Sequence, residues 1–133
     1  MNRPIVQSQI TFLYYDDLAA AAAFYENVMG FERVEDQGFA KIYQVQGSAF
    51  VGIVSGERGF HQAQEKNAVL LTFVVDDVEA WYAYLKEQGV KIVRELQYVE
   101  SINIKGFFGE DPGGYSFEVQ QFLTPEVARI FAA

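Results

Sequence analysis

A chain of 133 residues, half of them hydrophobic and 16% aromatic, is long enough to bury a core and too apolar to remain disordered. Its net charge of −8, with the ten Lys and Arg scattered, disfavours nucleic acid and anionic membrane surfaces as partners. The absence of cysteine excludes disulfides, thiolate metal sites and a cysteine nucleophile.

The first residues, Met1 to Gln9, carry no apolar signal core, and no apolar run approaches the ~20 residues of a membrane span. A cytoplasmic location is expected. Ile10 to Tyr15, β-branched and aromatic, reads as a strand. Asp17 then stands as a helix N-cap before Leu18 to Met29, with five consecutive alanines and a terminal Gly30 suited to the left-handed C′ position. Leu18, Ala21, Ala22, Tyr25 and Met29 fall on one helical stripe. Three strands follow, Phe31 to Glu35, Ala40 to Val45 and Ala49 to Val54, separated by the turns at Asp36–Gly38 and Gln46–Ser48.

A polar stretch from Ser55 to Asn67 reads as a connector. Beyond it the order repeats: a strand from Ala68 to Val75, a helix opened by Asp76-Asp77 and running to about Gln88, ended by Gly89, and strands at Val90 to Arg94, Ile102 to Phe108 and Tyr115 to Phe122. Asp76 with Glu79 has the spacing of a capping box. Glu95 to Ser101 reads as a loop, and Glu110-Asp111-Pro112-Gly113-Gly114 as a turn. The tail from Thr124 to Ala133 predicts a short helix with Thr at N-cap and Pro125 at N1, packed on the outside.

The halves align. Asp17-Leu18 matches Asp77-Val78, Phe24-Tyr25 matches Tyr84-Leu85, and each helix closes on a glycine, Gly30 or Gly89. A repeat of about sixty residues points to duplication of one βαβββ unit. Such a sheet has one bare face, so two modules are expected to share a cavity or an interface. The fold class is therefore α+β, two tandem βαβββ modules forming a cupped mixed sheet. It reads as a single domain over 1–133, with module 1 at about 8–55, a connector at 56–67, module 2 at about 68–122 and a C-terminal helix at 124–133.

In this order and spacing, three passages resemble the vicinal oxygen chelate superfamily (glyoxalase, bleomycin resistance protein and extradiol dioxygenase) over roughly Ile10 to Phe122. They are Tyr15-Asp16-Asp17-Leu18 with Phe24-Tyr25 and Met29-Gly30-Phe31; Val75-Asp76-Asp77-Val78 with Tyr84-Leu85 and Gly89-Val90; and Gly106 to Gly114 with Glu118. The resemblance implies four inward metal positions, two on the modules' first strands and two on their last. Here they read Ile10, Gly52, Leu70 and Glu118. Three of these lack a donor side chain, so no metal of the family type is expected and no cofactor follows. A one-residue shift would bring Gln9 to the first position and leave a divalent metal open.

Strand alternation places Phe12 and Tyr14 on the same face as Ile10, Phe50 and Val54 with Gly52, Thr72 and Val74 with Leu70, and Ser116 and Gln120 with Glu118. This predicts an aromatic pocket with a few polar groups, unless the same side chains close on one another as core. Glu118 is a candidate general acid or base, or else a carboxylate paired with Lys41, Lys105 or a tyrosine hydroxyl. His61, in the connector, either folds over the pocket mouth or is an ordinary surface histidine. Tyr14 and Tyr43 are candidate ligand donors or amphipathic core rings. Lys105 could neutralise an anion, although a solvated charge is the plainer reading. Asp16, Asp17, Asp76 and Asp77 sit at helix starts, where capping explains them. No phosphate loop, dinucleotide fingerprint or nucleophile elbow is present.

Two functions are compatible with these residues. One is a metal-independent small-molecule binding protein, for which the resemblance implies a homodimer. The other is a glyoxalase-like lyase or isomerase, or a dioxygenase-related enzyme, acting on a carbonyl compound with Glu118 as base and an atypical metal near Gln9 or His61.

Overall fold

Each half of the chain builds the same four-stranded sheet around one amphipathic helix. The computed structural model describes residues 4, 5, 7–64 and 69–132, and the chain divides into two compact units, residues 1–64 and 65–133. In the first unit β1 (Gln9–Tyr15) leads into α1 (Leu18–Ala23), then β2 (Glu32–Asp36), β3 (Ala40–Gln46) and β4 (Ala49–Ser55). The sheet order is β1-β4-β3-β2, with β1 and β4 parallel and the other pairs antiparallel. The second unit repeats this with β5 (Leu71–Val74), α2 (Val78–Glu87), β6 (Lys91–Val99), β7 (Ile104–Glu110) and β8 (Ser116–Phe122) in the order β5-β8-β7-β6. A short α3 (Pro125–Phe131) follows. The architecture is the α+β repeat expected from the sequence.

The helix starts follow their caps. Asp17 accepts from the Ala20 N–H at 3.0 Å and Asp77 from the Ala80 N–H at 3.1 Å, each cap contributing about 1 kcal/mol. Gly30 and Gly89 take φ of 73° and 77°, the left-handed geometry that ends a helix at little cost only for glycine.

Several local expectations need correction. The helix expected over Leu18 to Met29 is α-helical only to Ala23 and then widens into one π-helical turn, Phe24–Val28. There the Met29 N–H bonds the Phe24 carbonyl at 3.0 Å. A 100° step per residue would leave Phe24 on the flank of the buried stripe. With the wide turn, both Phe24 and Tyr25 are buried and meet edge-to-face at 4.9 Å. The Asp76–Glu79 capping box does not form. Asp77 is the cap, and Glu79 accepts from Lys105 Nζ at 2.8 Å.

The loop expected at Glu95 to Ser101 is mostly strand. β6 runs to Val99 before a 3₁₀ turn at Glu100–Ile102. The strand expected from Ile102 starts at Ile104, because Asn103 turns the chain at a φ of 52°. The Asn103 side chain is held by the Tyr98 hydroxyl and in turn donates to Thr124 Oγ1, both at 3.0 Å. Thr124 consequently occupies the N-cap of α3 without its hydroxyl capping the helix. Phe131 of α3 stacks on Phe122 at 4.9 Å. The strand expected from Ala68 is ordered as strand over Leu71–Val74, and Ala68 lies outside the described residues.

In each unit the helix covers one sheet face. Leu13, Tyr15, Tyr43 and Ile53 are buried in the first unit together with Ala21, Ala22 and Tyr25. Phe107, Phe117 and Val119 are buried in the second together with Val78 and Leu85, and the Tyr82 ring lies 5.0 Å from that of Phe107. Tyr43 has no exposed surface, and its hydroxyl donates to Glu26 on the π-helical turn at 2.7 Å. It is a core ring rather than a ligand donor. Burial first, then the hydrogen bond and charge of Glu26, push its pKa well above the usual tyrosine value. A raised phenol pKa contributes stability that is complete below the unfolded value near 10 and is lost as pH climbs toward the folded one. Tyr43→Phe should therefore lower unfolding free energy by about 1 kcal/mol at neutral pH, and the gap to the natural chain should narrow above about pH 10 in urea titrations.

Candidate functional site

The site candidates lie on the sheet faces turned away from the helices. Leu13 and Tyr15 of β1 face the helix and are 1% exposed, whereas Ile10 and Phe12 are each 39% exposed. Pairing extends this parity across the first sheet: Ile10 opposes Phe50, Phe12 opposes Gly52, and Tyr14 opposes Val54, while Ile42 and Gln44 of β3 oppose Gly52 and Phe50. Ile10, Phe12, Tyr14, Phe50 and Gly52 therefore share one open face, as do Ile42 and Gln44.

Gly52 is covered by a ring. A Cβ built there would fall on the edge of the Phe12 ring, so any side chain at this position would have to displace it. At one end of the face the connector folds back. Gly59 lies against Val54 and Tyr14 with no room for a side chain, and the His61 ring meets that of Tyr14 at 5.6 Å and that of Phe60 at 4.8 Å. At the other end a pocket of about 370 Å³ is lined by Ser8, Gln9, Ile10, Val34, Ile42 and Phe50. Val34 and Ile42 are absent from the sequence reading, since β2 and β3 offered no register. Gln9 lines this pocket from the first position of β1. Tyr14, the His61 contact, lies five positions further along the strand, or about 16 Å, so Gln9 and His61 do not converge on an ion.

The second sheet repeats the parity. Leu70, 49% exposed, precedes β5, in which Thr72 opposes Glu118 and Val74 opposes Gln120. Glu118 opposes Phe108, Gln120 opposes Gly106 and Ser116 opposes Glu110. Thr72, Ser116, Glu118 and Gln120 thus share the open face. The partner of Glu118 is neither a lysine nor a tyrosine. The Thr72 hydroxyl donates to its Oε1 at 3.0 Å, a bond set by the direct opposition of the two residues on parallel strands. Lys105 faces the helix side and donates to Glu79, whose carboxyl is held below its usual pKa first by that bond. Lys41 donates to Asp36 at 3.1 Å.

Sequence reading also missed Arg94 and Phe108. Arg94 opposes Phe108, with its guanidinium carbon 5.1 Å from the ring centre. Two register shifts, at Ile92/Arg94 and Arg94/Gln97, hide the parity of β6 from any simple count.

The model of the Glyoxalase/Bleomycin resistance protein/Dioxygenase superfamily matches residues 7–119. The chain belongs to this superfamily. Solved members share its fold. A lactoylglutathione lyase from Agrobacterium tumefaciens is 23% identical with a TM-score of 0.73, the match covering 90% of this chain and 96% of that one. TioX from Micromonospora sp. ML1 is 18% identical with a TM-score of 0.73, covering 89% and 100%. A glyoxalase/bleomycin resistance protein/dioxygenase from Nocardioides is 15% identical with a TM-score of 0.74, covering 94% and 87%. No curated protein matches the chain. At these identities the likeness is one of fold.

Ile10, Gly52, Leu70 and Glu118 are the four positions at which the family resemblance implies metal ligands. These residues do not fit a divalent ion: only Glu118 has a donor atom, and the space at Gly52 holds the Phe12 ring. Among the described residues no three His, Asp or Glu side chains come together. Among the described residues no helix is long and apolar enough to cross a membrane.

The Phe12–Gly52 contact is open to a double-mutant cycle. Gly52→Ala should cost about 1–3 kcal/mol by forcing the ring aside, and most of that cost should vanish in a Phe12→Ala background. Equal costs in both backgrounds, measured by urea unfolding, would show that the ring does not occupy the Gly52 space.

Proposed function

We propose that this chain is a metal-independent receptor for a small, largely apolar molecule, held on an open sheet face as in sequestering members of its superfamily. The Phe12 ring seated over Gly52 carries this reading. It places an aromatic contact surface at the position from which a metal-binding relative would extend a carboxylate. The pocket beside it is lined mainly by Ile10, Val34, Ile42 and Phe50, with Ser8 and Gln9 as polar groups. That mixture of apolar walls and few polar atoms is what small-ligand sites use. Partial exposure of Phe12 and Phe50 leaves apolar surface whose burial under a ligand contributes at about 25 cal/mol per Å².

A second reading is favoured by the Thr72–Glu118 hydrogen bond, which orients a carboxylate on an open face with its second oxygen available to take a proton. Under it the chain is a lyase or isomerase with Glu118 as base. Glu118→Gln separates the readings, because it abolishes turnover in an enzyme and leaves an apolar receptor nearly intact. Lactoylglutathione lyase activity, the activity named for one structural relative, is the first to assay.

The receptor reading is tested with the neutral fluorescent probe N-phenyl-1-naphthylamine. Saturable binding is expected, weakened about ten-fold or more by Phe12→Ala or Phe50→Ala, while Tyr84→Ala, on α2, changes it little. An affinity indifferent to both phenylalanines would remove the reading.

A further inference from the structure

The open face of the second sheet carries a row of charge and aromatic surface that the receptor reading leaves unused. Arg94 on β6, Phe108 on β7, Glu118 on β8 and Thr72 on β5 are consecutive cross-strand partners, so their side chains stand side by side on one face. The guanidinium of Arg94 rests on Phe108 at 5.1 Å, and Glu118 is held by Thr72 at 3.0 Å. Phe108 keeps the two charged groups apart. Their strands are two spacings, about 10 Å, from each other, and among the described residues neither Arg94 nor Glu118 enters an ion pair. Lys91 and Lys105 are engaged by Glu110 and Glu79.

The geometry points to a ligand-selecting row: Arg94 binds the carboxylate of a small aromatic acid whose ring lies along Phe108, and Glu118 accepts a hydrogen bond from a hydroxyl or amine at the ligand's far end. The proposal goes beyond the receptor reading: it concerns the second sheet's own face and gives a ligand of that face a chemical class. The planar guanidinium suits a carboxylate because two parallel N–H donors meet two oxygens, and stacking on Phe108 holds its plane in place. Glu118, an acceptor only when ionised, complements a donor and repels a second anionic group. A ligand with its charge at one end and a donor at the other, one ring apart, satisfies both. In a chain of net charge −8, a guanidinium held clear of carboxylates gives an anion a local favourable contact that the overall field denies it.

The test is calorimetric titration of the natural chain, Arg94→Gln, Arg94→Lys and Glu118→Gln with 4-hydroxybenzoate and its neutral analogue 4-hydroxybenzamide. The acid should bind saturably. Arg94→Gln should weaken it about ten-fold or more while changing the amide by less than about two-fold. Arg94→Lys should recover part of the loss, and Glu118→Gln should weaken acid and amide alike. The proposal is overturned if the natural chain binds no acid, if Arg94→Gln leaves acid affinity unchanged, or if it weakens acid and amide equally. N-phenyl-1-naphthylamine binding that persists in those cases leaves the receptor reading standing. Loss of that binding with Arg94-dependent acid affinity intact overturns the apolar receptor instead.

Discussion

Side-chain alternation along the strands, combined with a single helix per sheet, is the constraint from which the rest of the molecule follows. A strand can give only every second residue to its helix. In both units the odd positions are spent on that contact: Leu13, Tyr15, Tyr43 and Ile53 in one, Phe107, Phe117 and Val119 in the other. The even positions are thereby free of the demand to build a core under the helix. They can carry Glu118, Thr72, Gln120 and Arg94 without the penalty of burying a charge beneath the helix, and they can carry rings that have no helix to pack on.

The two open faces differ in chemistry although their topology is the same. The first is mainly hydrocarbon, with Gln44 and the Tyr14 hydroxyl as polar groups besides those at the start of β1, and the connector closes one end with Gly59 and the Tyr14–His61–Phe60 ring series. T-shaped contacts of this kind contribute about 0.5–1.5 kcal/mol each, enough to favour one loop arrangement without locking it. The second carries a guanidinium, a ring and a carboxylate in sequence. The two units share one scaffold, and their different residues at even positions give each its own surface.

Much of this was legible before any coordinates. Asp17 and Gly30, and Asp77 and Gly89, mark their helices because capping and left-handed φ are local chemistry, readable from a few neighbouring residues. The even-numbered face of β1 could be counted because Ile10 to Tyr15 pairs without a bulge. The π-helical turn could not, since a change from four- to five-residue hydrogen bonding leaves the order of residues untouched and answers only to how Phe24 and Tyr25 pack. The sequence predicts a shorter β6 because Glu95 and Gln97 look like loop residues. They are tolerated in an edge strand with one face exposed, where bulges interrupt the apolar rhythm. For the same reason Arg94 could not be assigned a face, and with it went half of the charged row. Parity groups Thr72 with Leu70 on one face, yet its bond to Glu118 joins positions 46 residues apart and depends on the β5–β8 register.

The ring over Gly52 bears on how this sheet can change over evolutionary time. Because Phe12 and any side chain at 52 compete for one volume, the two positions cannot drift independently. A lineage acquiring a carboxylate at 52 must first, or simultaneously, shrink or redirect residue 12, and either lone step passes through a chain with a gap or a crowded strand pair. Such coupling acts as a ratchet: once the aromatic filler is in place, reversion to a coordinating sheet requires paired changes, and selection for stability alone holds the face hydrocarbon.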